Sequence, residues 1–156
     1  MPITALIAKQ LRDVYFGGNW TGVNLTDTLK EVNWQQATTQ VHDFNTIAAL
    51  VFHINYYIDA VMKVLHGTPL TAKDKYSFDH PPVASQADWE NLLNKTWKEV
   101  TDLTALVEAF PESKLEEVFV DEKYGTYYRN FTGIIEHTHY HLGQIVLIKK
   151  ILSAKA

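Results

Sequence analysis

The stretch from Asp43 to His66 constrains the fold of this chain most strongly. It is apolar nearly all round from Ile47 to Leu65, and a helix without a polar face has to be surrounded by other elements. His66 in the last turn, Gly67 directly after it and Pro69 beyond it form a typical C-terminal helix signal. The pattern therefore predicts a long central helix.

Three further segments have apolar residues at helical spacing: Thr4 to Phe16, Ser85 to Phe110, and Thr126 to Ser153. A loop with three prolines, Thr68 to Ala84, connects the second and third long helices. Four long amphipathic helices joined in this way predict an all-α fold, namely a four-helix bundle with a long connection between helices 2 and 3. The length predicts a single domain, 1–156.

Two connecting segments are harder to interpret. In Trp20 to Gln40, either Asn24 or Thr26 is expected to cap a short helix, and Asn33 to cap another turn. Lys114 to Gly125 is interpreted either as a short extended piece or as a bent helix. All four tryptophans are expected to be core anchors rather than substrate platforms: Trp20, Trp34, Trp89 and Trp97.

Composition excludes several functional classes. There are no cysteines, which excludes disulfides, cysteine nucleophiles, thiolate zinc sites and iron–sulfur clusters. The net charge of -4 argues against nucleic acid as the main partner, because phosphate binding relies on an excess of Lys and Arg. The start of the chain has no basic region typical of a signal peptide, and no uninterrupted apolar run is long enough for a membrane span. We therefore expect a cytoplasmic protein without membrane contact.

The candidate chemistry lies in the last helix. His137 and His141 are four residues apart, which places both imidazoles on one helix face, one turn apart. A divalent metal needs a further protein ligand, and the best candidate is His53 in the central apolar helix. Spacing alone leaves other interpretations open, namely hydrogen-bonded core histidines or surface histidines. Thr138 follows His137 where a metalloprotease signature would have Glu, so that signature is absent.

Two polar residues accompany the histidines. Tyr57 lies four residues after His53, on the same helix face, and Gln144 lies three residues after His141. Either could line a pocket or orient a metal ligand from the second coordination shell. The alternative for both is core packing with a satisfied polar tip. The catalytic residues stay unknown at this stage.

The motifs together resemble the DinB/YfiT-like superfamily. The resemblance rests on His137, His141 and the following Gly143-Gln144-Ile145, on His53 within the second long helix, and on two N-terminal pieces, Asn19-Trp20-Thr21-Gly22 and Trp34-Gln35-Gln36-Ala37. It extends over essentially the whole chain and is closest to the small bacterial branch. It implies a four-helix bundle, a homodimer, and a divalent metal held by His53, His137 and His141.

The resemblance also implies a small-molecule substrate. Three neutral imidazoles suit Zn or Ni first, with Fe or Co as alternatives. The main hypothesis is a metal-dependent transferase that uses a low-molecular-weight thiol. A metal-dependent hydrolase, a non-catalytic metal- or ligand-binding protein of a stress response, and a purely structural protein are the alternatives, because fold and triad are shared across activities.

Overall fold

The computed structural model describes residues 1–154, and α-helices account for most of that range. Six α-helices occur there, four of them long: α1 Ile3–Phe16, α2 Leu25–Leu29, α3 Trp34–Thr38, α4 Ile47–Leu65, α5 Gln86–Glu108 and α6 Tyr127–Ala154. Within residues 1–154 there is no β-strand, only one isolated bridge between Val118 and Thr126. The predicted all-α bundle of four long helices is therefore confirmed.

Helix α4 packs between α5 and α6 and also contacts α3, while α1 packs against α5 and α6 on the opposite side of the bundle. By length and composition alone α4 could cross a membrane, although the sequence suggested no such segment. However, 61% of its most apolar window is buried inside the bundle. Its two charged residues, Asp59 and Lys63, form an ion pair at the surface, 2.6 Å between Oδ2 and Nζ. Packing within the bundle accounts for its apolar character.

The short N-terminal helices begin at side-chain caps. Asn24, rather than Thr26, caps α2 by accepting a hydrogen bond from the Asp27 backbone N–H at 2.8 Å. Asn33 and Gln36 form a reciprocal capping box at the start of α3, as a capping asparagine there predicted. Each of the two helices has only five residues, because neither segment has a long apolar stripe.

Helix α4 begins at Ile47, four residues after the predicted start at Asp43. Thr46 has an extended backbone, and its hydroxyl accepts a hydrogen bond from the Ala49 N–H at 3.1 Å. His42 has a positive φ of 49°, so the chain turns there instead of continuing as a helix. The local cap, rather than the apolar pattern, sets this end.

The segment Lys114 to Gly125 is neither an extended piece nor a bent helix. It includes part of one 3-10 turn, Glu112–Lys114, and all of another, Glu122–Tyr124, with the isolated bridge at Val118. Leu115 and Phe119 are the buried residues that attach it to the core. The segment is therefore held against the core by the burial of these two apolar side chains and not by regular secondary structure.

The tryptophan prediction is correct for Trp89 and wrong for Trp20. Trp89 is fully buried, and its indole N–H donates to the Val32 carbonyl at 2.7 Å. Trp20 is fully exposed, because Asn19 closes its loop with hydrogen bonds to the carbonyls of Asp13 and Val23, which leaves the neighbouring indole in solvent.

Candidate metal centre

Packing of α4 on α6 brings the three predicted histidines together. His53 projects from α4, and His137 and His141 project from one face of α6. One ligating nitrogen from each ring lies within 4.8 Å of the other two. His53 and His141 are buried and His137 is half-buried, so the group lies at the inner edge of the helix interface.

The distance between His53 and His137 suits two ligands of one ion. Their Nε2 atoms are 3.0 Å apart. Two nitrogens at Zn–N distances of about 2.0–2.1 Å in a tetrahedral shell lie roughly 3.3 Å apart. An opening of a few tenths of an ångström would admit the ion. In its absence the same distance allows one ring to donate a hydrogen bond to the other.

Gln144 fixes the tautomer of His141. Its Oε1 lies 2.6 Å from His141 Nδ1, and an amide oxygen can only accept, so Nδ1 has to carry the proton. The Nε2 lone pair is then free for a metal. A hydrogen bond from the non-ligating nitrogen to a neighbouring acceptor is the usual arrangement around protein-bound metals.

The ring of His53 is held by stacking. Phe78, from the connection between α4 and α5, lies parallel to it with 3.9 Å between centroids and 6° between planes. His53 Nδ1 is buried and has no hydrogen-bond partner within residues 1–154. The Ser77 backbone lies close enough to offset part of the lowering of the His53 pKa. It makes no hydrogen bond with Nδ1, however. The stack therefore sets the ring orientation that a hydrogen bond would otherwise set.

All three rings are neutral near pH 7. Burial, followed by the proximity of His141 and His53, lowers the pKa of His137 to about 4. Burial also lowers the pKa of His53 and of His141, with the His141 effect partly offset by Gln144. A histidine must be neutral to ligate a metal, so a site made of two buried imidazoles and one half-buried imidazole fits a divalent cation in both donor type and protonation.

Tyr57 lies beside the histidines and is tied to the covering loop. Its ring centroid is 5.0 Å from that of His137 and 5.2 Å from that of His53. Its hydroxyl donates to Asp74 Oδ1 at 3.0 Å, and burial is the main cause that raises its pKa. Tyr56 exchanges hydrogen bonds with the Lys73 backbone at 2.8 and 3.0 Å. The loop is thus attached to α4 next to the site.

A groove of about 540 Å³ between α4 and α6 extends from this site toward the start of α6. We call it the α4–α6 groove. It is lined by Tyr57, Val61, Arg129, Asn130, Thr132, Gly133, Ile134, Glu136 and His137. A smaller cavity of about 350 Å³ touches Gln144 but none of the three histidines. Of these two cavities in the described part of the chain, the α4–α6 groove is the one lined by a candidate ligand, His137.

Some of these residues could not be found in the sequence. Phe78 and Asp74 lie in the connection between α4 and α5, which has one short 3-10 turn, Asp74–Tyr76, and no periodic pattern that predicts its path. Arg129 had a signal, since it lies two helical turns before His137 on the same face, with Gly133 between them. His139 does not join the pair and lines a separate surface groove.

Comparison with known proteins supports the family resemblance. A model of the DinB superfamily matches residues 9–145, which extend from the middle of α1 to the second half of α6 and include all three histidines. No curated protein and no solved structure matches the chain. The family match covers well over half of the sequence, and the chain therefore belongs to the DinB superfamily.

Proposed function

We propose that this chain is a metal-dependent transferase that uses a low-molecular-weight thiol, with a divalent metal held by His53, His137 and His141. Zn or Ni is the preferred ion, with Fe or Co as alternatives. The convergence of three neutral imidazoles next to the α4–α6 groove is the observation that supports it. We also propose a homodimer, as the resemblance implied, and a cytoplasmic location, as expected from the sequence.

The roles follow from the contacts. A bound divalent ion would supply the positive charge that lowers the pKa of a substrate thiol. Gln144 keeps the Nδ1–H tautomer of His141, and Phe78 keeps water from one face of His53. Tyr57 faces the groove with a hydroxyl that can donate to a substrate oxygen in place of Asp74. The sulfur would form a bond to an electrophilic carbon while the leaving group departs with its electron pair and the thiol proton passes to solvent.

The first test is the metal content of protein purified without a histidine tag, measured by elemental mass spectrometry. We expect close to one equivalent per chain in the wild type and loss of that metal in His137→Ala. His66→Ala is the matched control, because His66 is exposed at the end of α4, away from the site. A wild-type protein that stays empty after incubation with Zn and Ni would overturn the metal centre.

A second measurement separates the transferase from the alternatives. The metal-loaded protein is incubated with a thiol and an electrophilic carbon compound, and consumption of both is followed. Turnover that depends on His137 supports the transferase. Hydrolysis of an ester or amide panel without thiol consumption would favour a hydrolase, and metal binding without any turnover would favour a non-catalytic binding protein.

A further inference from the structure

The α4–α6 groove has a distinct polarity along its length. His137 lies at one end and Arg129 lies eight residues earlier on α6, which corresponds to about 12 Å along the helix axis. Glu136 lines the groove near His137. The acidic group is therefore at the histidine end and the guanidinium at the opposite end.

Arg129 has no anionic partner. Among the ion pairs of residues 1–154 none includes Arg129, whereas Arg12, the other arginine of the chain, pairs with Glu108 at 3.4 Å. Arg129 uses one N–H, from Nη1, to bind the Tyr124 carbonyl at 2.8 Å. A guanidinium carries five N–H donors, so donors remain for an anion in the groove.

Helix stability does not account for a cation at this position. Arg129 lies in the first turn of α6, the positive end of the helix, where Asp or Glu is the favourable charge. Its backbone N–H bonds the Thr126 hydroxyl at 3.2 Å, and the N–H groups of Tyr127 and Tyr128 bond carbonyls of the preceding segment. The backbone donors there are already used, which leaves the guanidinium as the group available to a ligand.

Gly133 opens the path between the two ends. It lies one turn after Arg129 and one turn before His137, and a Cβ at this position would meet no atom within 4 Å. A larger side chain would protrude into the groove. The helix face between the guanidinium and the histidines is therefore clear for an extended ligand.

We propose that the α4–α6 groove selects an elongated thiol substrate with a terminal carboxylate, which Arg129 binds while the sulfur lies at the three histidines. This inference rests on the proposed function for the thiol end only. Glu136 repels a carboxylate at the histidine end and so favours one binding direction. A short carboxylated thiol cannot reach both ends.

The test uses two synthetic thiols of equal length, 8-mercaptooctanoate and 8-mercapto-1-octanol, titrated calorimetrically into the Zn-loaded protein. We expect the carboxylate to bind about five- to tenfold more tightly than the alcohol, as for a partly exposed charged hydrogen bond. Arg129→Gln should remove this preference and leave the affinity for the alcohol unchanged. Arg12→Gln is the matched control and should keep the preference.

Equal affinity for the two thiols in the wild type, or an unchanged preference in Arg129→Gln, would overturn the inference. Octanoate, which has no thiol, tests the carboxylate site separately from the proposed thiol transferase function. Arg129-dependent binding of octanoate to metal-free protein supports the carboxylate site even if no thiol binds the loaded protein. If the Zn-loaded protein binds both thiols equally well, the proposed metal centre still holds, but the role of Arg129 is rejected.

Discussion

At the scale of single residues, the candidate site depends on which nitrogen of each imidazole is free. His141 is the ring whose tautomer is fixed by a side chain, since Gln144 accepts from its Nδ1 at 2.6 Å. His53 instead has a buried Nδ1 without a partner in the described part of the chain, and Phe78 stacks on its ring. The two rings are thus oriented by different physical means.

Replacement of Gln144 by Leu should weaken metal binding roughly 10- to 100-fold, the usual cost of losing a second-shell hydrogen bond. Without the acceptor, the Nδ1–H of His141 loses its partner and the ring loses its orientation. Competition with a chromogenic chelator measures the affinity. Gln144→Glu keeps an acceptor at this position and is the control expected to retain binding; equal affinity in wild type and Gln144→Leu would contradict the role of Gln144.

At the scale of elements, helix α6 combines the ligands, the groove wall and the positive end of the groove. Arg129, Gly133, His137 and His141 follow one another at four-residue spacing, slightly more than one turn, so they form a row that runs obliquely along the helix. A glycine inside a long helix weakens it, yet here it leaves open space beside the histidines. The element therefore has lower intrinsic stability where the groove is open.

Gly133→Ala should stabilise the protein by up to about 1 kcal/mol, because alanine is the better helix former and its methyl group meets no neighbour. The free energy of unfolding in urea measures this change. Gly125→Ala is the matched control with the opposite expectation. Gly125 has φ of 74°, and a Cβ there would lie 2.7 Å from Arg129 Cδ. A destabilised Gly133→Ala protein would show that the α6 backbone has to flex at this point.

At the scale of the whole molecule, the three histidines make the stability of the bundle depend on pH. Because burial and the neighbouring rings lower the pKa of His137 from 6.5 to about 4, the unfolded chain binds more protons than the folded chain between these values. Stability then falls as pH falls through this window. His53 and His141, whose pKa values are also lowered, act in the same direction.

We therefore expect the metal-free protein to lose stability between pH 7 and pH 4.5 or so, and His137→Gln to lose less over the same range. The free energy of unfolding in urea at several pH values, after removal of metal with a chelator, measures this loss. His66→Gln, which changes an exposed histidine, should behave like the wild type. A wild-type stability that stays constant over this range would contradict the neutral histidine cluster.

Local patterns in the sequence were sufficient to predict the helical class, the four long helices and the three histidines of the candidate site. Apolar residues at helical spacing, and the all-round apolar character of α4, depend only on local order along the chain. The pairing of His137 with His141 follows from the helical repeat. The caps at Asn24 and Asn33 were predictable because an asparagine precedes each short helix. The start of α4 was missed because its apolar character obscured Thr46.

How those residues meet depends on the packing of helices and loops that are distant in the sequence. The contact between His53 and His137 joins positions 84 residues apart, a distance no local pattern encodes. The stack of Phe78 on His53, the bond between Tyr57 and Asp74, and the exposure of Trp20 depend on irregular loops, whose paths are set by packing. The α4–α6 groove likewise exists only between two packed helices. Its shape depends on which faces of these helices pack together, and periodicity within one helix cannot specify that.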